Sequence, residues 1–313
     1  MTFRYVSLEE AKAAVIHWDG DPQSVVHIEN SSSSVFKFET HSSGKRILRF
    51  IDNNQRSFDE VQGEVEFLQH LKGKGVRSCT PELSNDGLLA RLFPAKSGLQ
   101  TCSAMKFIPG IEVDEVSQYW NKDLFRKWGQ NLASLHRASR SFSPQKIRRW
   151  RWGDEHLIRN ADKLIPPDDI KSKEFLREII AQCAALERTK ETFGLIHGDH
   201  APNNFIFDPE TEEITAIDFG NCCYHWYLAD LGIAFSVVRR KNNREEIKAQ
   251  IMEGYCETER LPKDYEDLLN LFIRLRVIYV YLNRLHRFGP NPVEKEAELI
   301  NTLRERVHAD VGW

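Results

Sequence analysis

The densest grouping of chemistry-bearing side chains is His197-Gly198-Asp199-His200-Ala201-Pro202-Asn203-Asn204, followed shortly by Asp218-Phe219-Gly220. Carboxylate and carboxamide oxygens are hard donors. Magnesium takes a few such ligands from protein and draws the rest from phosphates and water. Asp218 and the amide oxygen of Asn204 fit that need. Asp199 fits a different task, orienting a hydroxyl group and accepting its proton. Phosphoryl transfer requires both: neutralised phosphate charge and a positioned nucleophile. Between the clusters, Phe205-Ile206-Phe207, the turn residues Asp208-Pro209-Glu210-Thr211 and the apolar stretch 214–217 read as a hairpin. A hairpin there returns Asp218 to the side of Asn204. Taken singly, Asp199, Asn204 and Asp218 are also ordinary turn residues; taken together they read as a site.

The step from Asp199 to Asn204 equals the D-x-x-x-x-N step of the protein-kinase catalytic loop, and D-F-G is that loop's metal-binding partner. The whole segment HGDHAPNNFIFDPETEEITAIDFGN resembles the aminoglycoside phosphotransferase and choline kinase family, whose pattern is H-G-D-x-x-P-x-N, a hairpin, then I-D-F/W-G/E. The stretch GQNLASLHRAS (129–139) is similar to that family's helix ending in L-x-x-L-H, and the likeness covers roughly residues 20 to 235. The resemblance implies a bilobal, protein-kinase-like α+β fold. It implies Asp199 as catalytic base, Asn204 and Asp218 as Mg2+ ligands, and His197 and Pro202 as residues that shape the loop. It also implies ATP or GTP as co-substrate and a hydroxyl of a metabolite or aminoglycoside-like molecule as acceptor. Two departures from protein kinases stand out: Gly198 replaces the H-R-D arginine, and no A-P-E sequence follows D-F-G. A permanently formed site acting on a small molecule is therefore expected, with no phosphorylated activation loop to read.

Elements must bring these residues together. Helical spacing predicts helices over 8–18, 57–72, 123–139 and 175–186; period-two or short apolar runs predict strands over 25–28, 35–39, 46–51, 88–93, 102–108 and 214–217. From Tyr227 onward the chain reads as helices. A β-rich first third before an α-rich remainder places an N-terminal nucleotide-binding lobe at 1–108 and a C-terminal lobe with the substrate site at 109–313. In a kinase-like first lobe the third strand carries a cation for the α/β-phosphates, tethered by a helix carboxylate. Arg49 and Glu64 occupy those positions, with a surface-strand cation and a solvated helix face as the plain alternatives. The loop Ser31-Ser32-Ser33-Ser34 lies where a glycine-rich lid belongs; it has no glycine, but its N–H and hydroxyl groups suit phosphate. Met105 to Phe107 is the expected strand whose backbone meets the adenine edge. Tyr224 to Tyr227 reads either as core or as an aromatic wall for a cationic or sugar-like substrate, Asp154 and Glu155 as an amine-attracting pair or a helix first turn, and Arg148, Arg149 and Arg151 as a solvated face.

Composition narrows the classes. The 313 residues are 41% hydrophobic and 28% charged, with a formal charge of −3, which argues against a nucleic-acid binder. No apolar run nears the ~20 residues of a membrane span, and the opening residues lack a signal-peptide core. The six cysteines form no C-x-x-C pair, which suggests reduced thiols and a cytoplasmic location. Oligomeric state is not readable. Two other functions compete with the kinase: a metal-dependent hydrolase, from the ligand-like spacing of His197, Asp199 and His200, and a catalytically idle nucleotide binder.

Overall fold

Antiparallel pairing begins directly after a short helix, α1 (Leu8–Val15), whose N-terminus is closed by a Ser7–Glu10 capping box. Strands β1 (Val26–Asn30), β2 (Ser34–Glu39) and β3 (Lys45–Asp52) form a meander, and helix α2 (Phe58–Gly73) follows, capped reciprocally by Ser57 and Glu60. Strands β4 (Pro81–Glu82), β5 (Arg91–Ala95) and β6 (Gly98–Lys106) complete a six-stranded sheet of order β1-β2-β3-β6-β4, with β5 on β6. The computed structural model describes residues 4–313 other than 31, 43, 145, 147 and 311.

β3 lies between β2 and β6, so Arg49 is paired on both sides, with Val35 and with Ser103. Strand alternation then divides its side chains between the sheet's two faces. Leu48 and Phe50 join the core under α1, whereas Ile47 and Ile51 join the core of α2, and Arg49 shares their side. Val61, Val65, Leu68 and Leu71 give α2 its buried stripe.

The remainder is mostly helical. Helices α3 (Lys122–Ser139), α4 (His156–Arg159), α5 (Ala161–Leu164) and α6 (Ile170–Ala185) precede two small two-stranded sheets. One joins β7 (Phe193–Ile196) to the later β10 (Cys223–Trp226); the other joins β8 (Phe205–Asp208) to β9 (Glu213–Ala216). Helices α7 (Leu228–Val238), α8 (Arg244–Cys256), α9 (Tyr265–Phe288) and α10 (Glu294–His308) close the chain. The mixed architecture, an antiparallel sheet followed by a helical half, is the α+β kinase-like fold expected. One core cluster draws Val65 and Leu68 of α2 together with Leu135, Leu195 and Phe219, so the two halves share buried apolar surface. β10 was not anticipated. Its four residues are too few to show a period, and only pairing with β7 fixes it as a strand.

Candidate active site

The β8–β9 hairpin is the device that gathers the site. Phe205 pairs with Ala216, and one step further the Ile217 N–H donates to the Asn204 carbonyl at 2.9 Å. Asp218 is therefore the next residue beyond a backbone tie to Asn204. Asn204 Nδ2 donates to the Asp199 carbonyl at 2.7 Å, which fixes Asn204 Oδ1 as an acceptor. The three residues singled out for chemistry thus converge. Asp218 adopts a left-handed backbone (φ 55°), and its side chain is 57% exposed. Its Oδ1 accepts from the Gly220 N–H, while Oδ2 has no hydrogen-bond partner among the described residues.

The loop carrying Asp199 is held from behind. The buried Asp230 of α7 accepts from the N–H groups of His197 and Gly198, both at 2.8 Å, and lies 3.2 Å from His136 Nε2. Burial alone would raise its pKa; the hydrogen bond and charge of His136, with His197 and His200 nearby, outweigh that and hold it below the ordinary carboxylate range. His197 Nδ1 accepts from the Asp199 N–H, so Nε2 donates to the Ile217 carbonyl at 2.9 Å and ties the loop to the strand before Asp218. Both histidines are structural hydrogen-bonding groups. Gly198 has φ +79°, and a Cβ there would lie 2.3 Å from the Asn221 carbonyl oxygen. That explains the missing H-R-D arginine: no side chain fits at 198.

Across from Asp218, Arg49 Nη2 is paired with Glu64 of α2, and Arg49 Nη1 lies 3.7 Å from Asp218 Oδ1. Burial opposes the charge on Arg49, but the Glu64 and Asp218 carboxylates overcome it and keep the guanidinium more firmly protonated than usual. Arg49 Nε is buried without a partner. The lid expectation needs correcting in part. Ser31 lies outside the described residues. Ser32 and Ser33 do connect β1 to β2, but Ser34 is buried, pairs with Asn30, and accepts from the Val6 N–H through its hydroxyl at 3.0 Å. Its oxygen is turned into the sheet, not toward a phosphate. Met105 is buried and flanked by Ile47 and Pro81. The Phe107 N–H donates to the Lys45 carbonyl at 3.1 Å, so Phe107 offers no free donor to a base edge.

Two arginines of the site escaped sequence reasoning. Arg276, on α9, places Nη2 2.5 Å from Asp199 Oδ1. It lies 77 residues beyond Asp199, in an amphipathic helix where nothing marks it out. Arg149 was read as part of a solvated face, yet it is 4% exposed. Its guanidinium donates to the carbonyls of Glu60 (3.0 Å), Gly220 (2.7 Å) and Cys222 (2.7 Å). It therefore joins α2 to the segment after Asp218. The flanking tryptophans in Arg148-Arg149-Trp150-Arg151-Trp152 were the available signal, and Trp150 indeed stacks with Arg149 and Arg56.

Next to Asp199, its neighbours Gly198 and Asn221 open onto a pocket walled by Trp150, Trp152, His225, Phe272 and Tyr279, with Glu155 and Arg276 as its charged groups. Strand alternation in β10 separates His225 from Trp226, and Tyr227 lies beyond the strand. His225 faces the pocket, whereas Trp226 packs on Phe193 and Phe272, and Tyr227 stacks on His136.

A family model described as the phosphotransferase enzyme family matches residues 25–268. The chain belongs to that family. Amicoumacin kinase of Bacillus subtilis (strain 168) is 28% identical over 275 residues, covering 83% of this chain and 80% of that one. Homoserine kinase of Caulobacter sp. (strain K31) is 22% identical over 273 residues, covering 85% and 80%. Among solved structures, the amicoumacin kinase hAmiN in complex with AMP-PNP, Ca2+ and Ami superposes with a TM-score of 0.90, at 22% identity, over 99% of this chain and 95% of that chain. A microcompartment-associated aminopropanol kinase gives 0.79 at 20% identity, over 97% and 98%.

For this phosphotransferase the hydrolase alternative loses its ligands. Trp128 Nε1 donates to His200 Nδ1 at 2.9 Å, and His200 Nε2 then donates to Asn131 Oδ1 at 2.8 Å. Burial, reinforced by the neighbouring His197, pushes the His200 pKa well below its ordinary value, so the ring is a neutral core group with both nitrogens engaged. Among the described residues, no cluster of three or more His, Cys, Asp or Glu side chains could hold a metal ion. Cys222 and Cys223 are buried, and desolvation pushes the Cys222 thiol up to about 12. Among the described residues, no helix is long and apolar enough to cross a membrane.

Proposed function

We propose that this phosphotransferase moves the γ-phosphoryl group of ATP or GTP directly to a hydroxyl of a small molecule, with Asp199 as the base. The observation that carries the reading is the convergence of Asp199, Asn204 and Asp218 on one hairpin, opposite the Arg49–Glu64 pair. The donor set fits a hard divalent cation. Asn204 Oδ1 is fixed as an acceptor, receiving only the Asn203 amide at 3.1 Å, and Asp218 Oδ2 is unpartnered among the described residues. Asn204 and Asp218 would hold magnesium, which neutralises phosphate charge when bound.

This chain's own residues supply the rest. Arg49 would offer its Nη1, on the side of Asp218, to the phosphates, and Glu64 fixes the fork's orientation through Nη2. Asp199 aligns the acceptor hydroxyl and takes its proton as the new P–O bond forms. The rate gain comes from positioning and charge stabilisation, with no covalent enzyme intermediate. The kinases among its relatives and the AMP-PNP-bound structural neighbour support a nucleotide donor, and the names amicoumacin, aminopropanol and homoserine kinase support a small hydroxyl-bearing acceptor.

The test is a metabolite-pool screen for magnesium-dependent consumption of ATP and GTP, with products identified by mass. With the acceptor in hand, Asp199→Ala should abolish transfer and leave nucleotide affinity within about twofold. Asp218→Ala should weaken magnesium-dependent nucleotide binding as well. Near-normal turnover by the Asp199 variant would remove the base assignment.

A further inference from the structure

The pocket beside Asp199 carries a simple charge balance. Its ionised groups are Glu155 and Arg276. Arg276 is already neutralised by Asp199. Glu155 caps the short helix α4 by accepting from the Leu157 N–H at 2.6 Å, and it forms no ion pair among the described residues. The adjacent carboxylate, Asp154, is engaged by Arg159 at 3.0 Å and does not line the pocket. His225 adds no charge, since burial depresses its pKa to about 3. One negative charge is left over.

The walls set the second constraint. Trp152, Phe272, Tyr279, Ile158 and Leu275 offer apolar surface, with few polar groups to meet a polyhydroxylated ligand. A polyamine would leave all but one ammonium desolvated without a counter-charge, and a sugar would leave its hydroxyls unpaired. A three-carbon amino alcohol would satisfy Glu155 but leave the aromatic walls without an apolar partner.

We infer that the acceptor is a singly charged amino alcohol bearing a flat apolar ring system, with the ring between the aromatic walls, the ammonium at Glu155 and the hydroxyl at Asp199. The last element rests on the base assignment proposed above. Glu155 is then a specificity residue, separating amine-bearing acceptors from their neutral counterparts.

Four probes separate the requirements: 2-amino-1-phenylethanol (ring and amine), 1-phenylethanol (ring only), 1-amino-2-propanol (amine only) and kanamycin (several amines, no aromatic ring). Binding is measured by calorimetry on the full chain without nucleotide, and phosphoryl transfer separately by ATP consumption. The first probe should bind about tenfold or more tightly than each of the others, and Glu155→Gln should bring it within about twofold of 1-phenylethanol. Glutamine keeps an oxygen for the Leu157 N–H, so the helix cap survives, and the comparison on the unaltered protein needs no variant. Kanamycin or 1-phenylethanol binding as tightly as the aryl amino alcohol would overturn the inference, as would unchanged affinity in a folded Glu155→Gln protein. Binding of the aryl amino alcohol without ATP consumption would keep the ring and ammonium placements and overturn the placement of the hydroxyl at Asp199. ATP consumption with a sugar or polyamine, while the aryl probe fails to bind, would keep the kinase and overturn this acceptor class.

Discussion

Asp230 receives two backbone N–H groups on its two oxygens, and His136 Nε2 lies against the same side chain. Asparagine in its place offers one oxygen and an NH2 group facing a donor. A buried N–H would then lose its partner, at a cost of roughly 1–3 kcal/mol, and residues 197–199 would be freed to move. Asp230→Asn should lower the unfolding free energy by about that amount and reduce kcat by roughly tenfold or more, since small misplacements of a reacting group are costly. Thermal unfolding and steady-state kinetics on one preparation check both. Full kcat in a destabilised variant would show that Asp230 supports the fold but not the placement of Asp199. At this scale much was readable. Asp199, Asn204 and Asp218 announce themselves by type and spacing, and their convergence follows from one hairpin. Arg276 does not, because contact across 77 residues between a loop and a helix leaves no local pattern. Ser34 misled for the same reason: whether a strand-end hydroxyl turns outward or toward the Val6 N–H is a tertiary decision.

Between elements, the stretch around 148–152 acts as a strap from α2 to the loop after Asp218. Arg148 pairs with Glu66 at 2.9 Å, and Arg149 bridges Glu60, Gly220 and Cys222. Gly63, one residue before Glu64, makes room: a Cβ there would lie 2.8 Å from Arg148 Cβ. The strap sets the distance between the helix bearing Glu64 and the segment bearing Asp218, a task an activation loop serves in regulated kinases. Arg149→Met removes three donors while keeping the side chain's apolar bulk. It should leave those carbonyls short of partners, cost about 2–4 kcal/mol, and raise the KM for nucleotide several-fold more than the KM for acceptor. An equal rise in both constants would assign the strap to general stability. The strap illustrates the limit of element-level reading. Most of the longer helices and strands were legible from period to within about five residues, whereas the short α4, α5 and β4 were not anticipated. A run of arginines looks solvated in sequence, and only the neighbouring carbonyls show it to be buried. β10 was missed likewise, since an isolated four-residue aromatic strand is defined by its partner β7.

Across the whole molecule, the shared core and the loop carrying Asp199 meet at a set of buried imidazoles. His136, His197, His200 and His225 are all below a tenth exposed. Two of them give a pH dependence with a definite sign. Burial drives the pKa of His200 well below its usual value and that of His225 to about 3. In the unfolded chain both return to about 6.5. The unfolded state therefore binds more protons than the folded one as pH falls below 6.5, and stability declines there. Above 6.5 both states carry neutral rings and the effect vanishes. Each such histidine contributes a slope of roughly 1.4 kcal/mol per pH unit between 6.5 and its folded pKa. Asp230 works in the same direction but only in stronger acid, because its depressed pKa matters below the ordinary carboxylate range. Urea midpoints should thus be flat from pH 8 to 7 and fall steadily from pH 6 to 4.5. His225→Phe, which keeps a flat ring in the same slot, should remove about one proton from that slope while leaving the neutral-pH midpoint little changed. A pH profile identical to that of the unaltered protein would mean that His225 is protonated in the folded state, and its place among the pocket's uncharged walls would go with it.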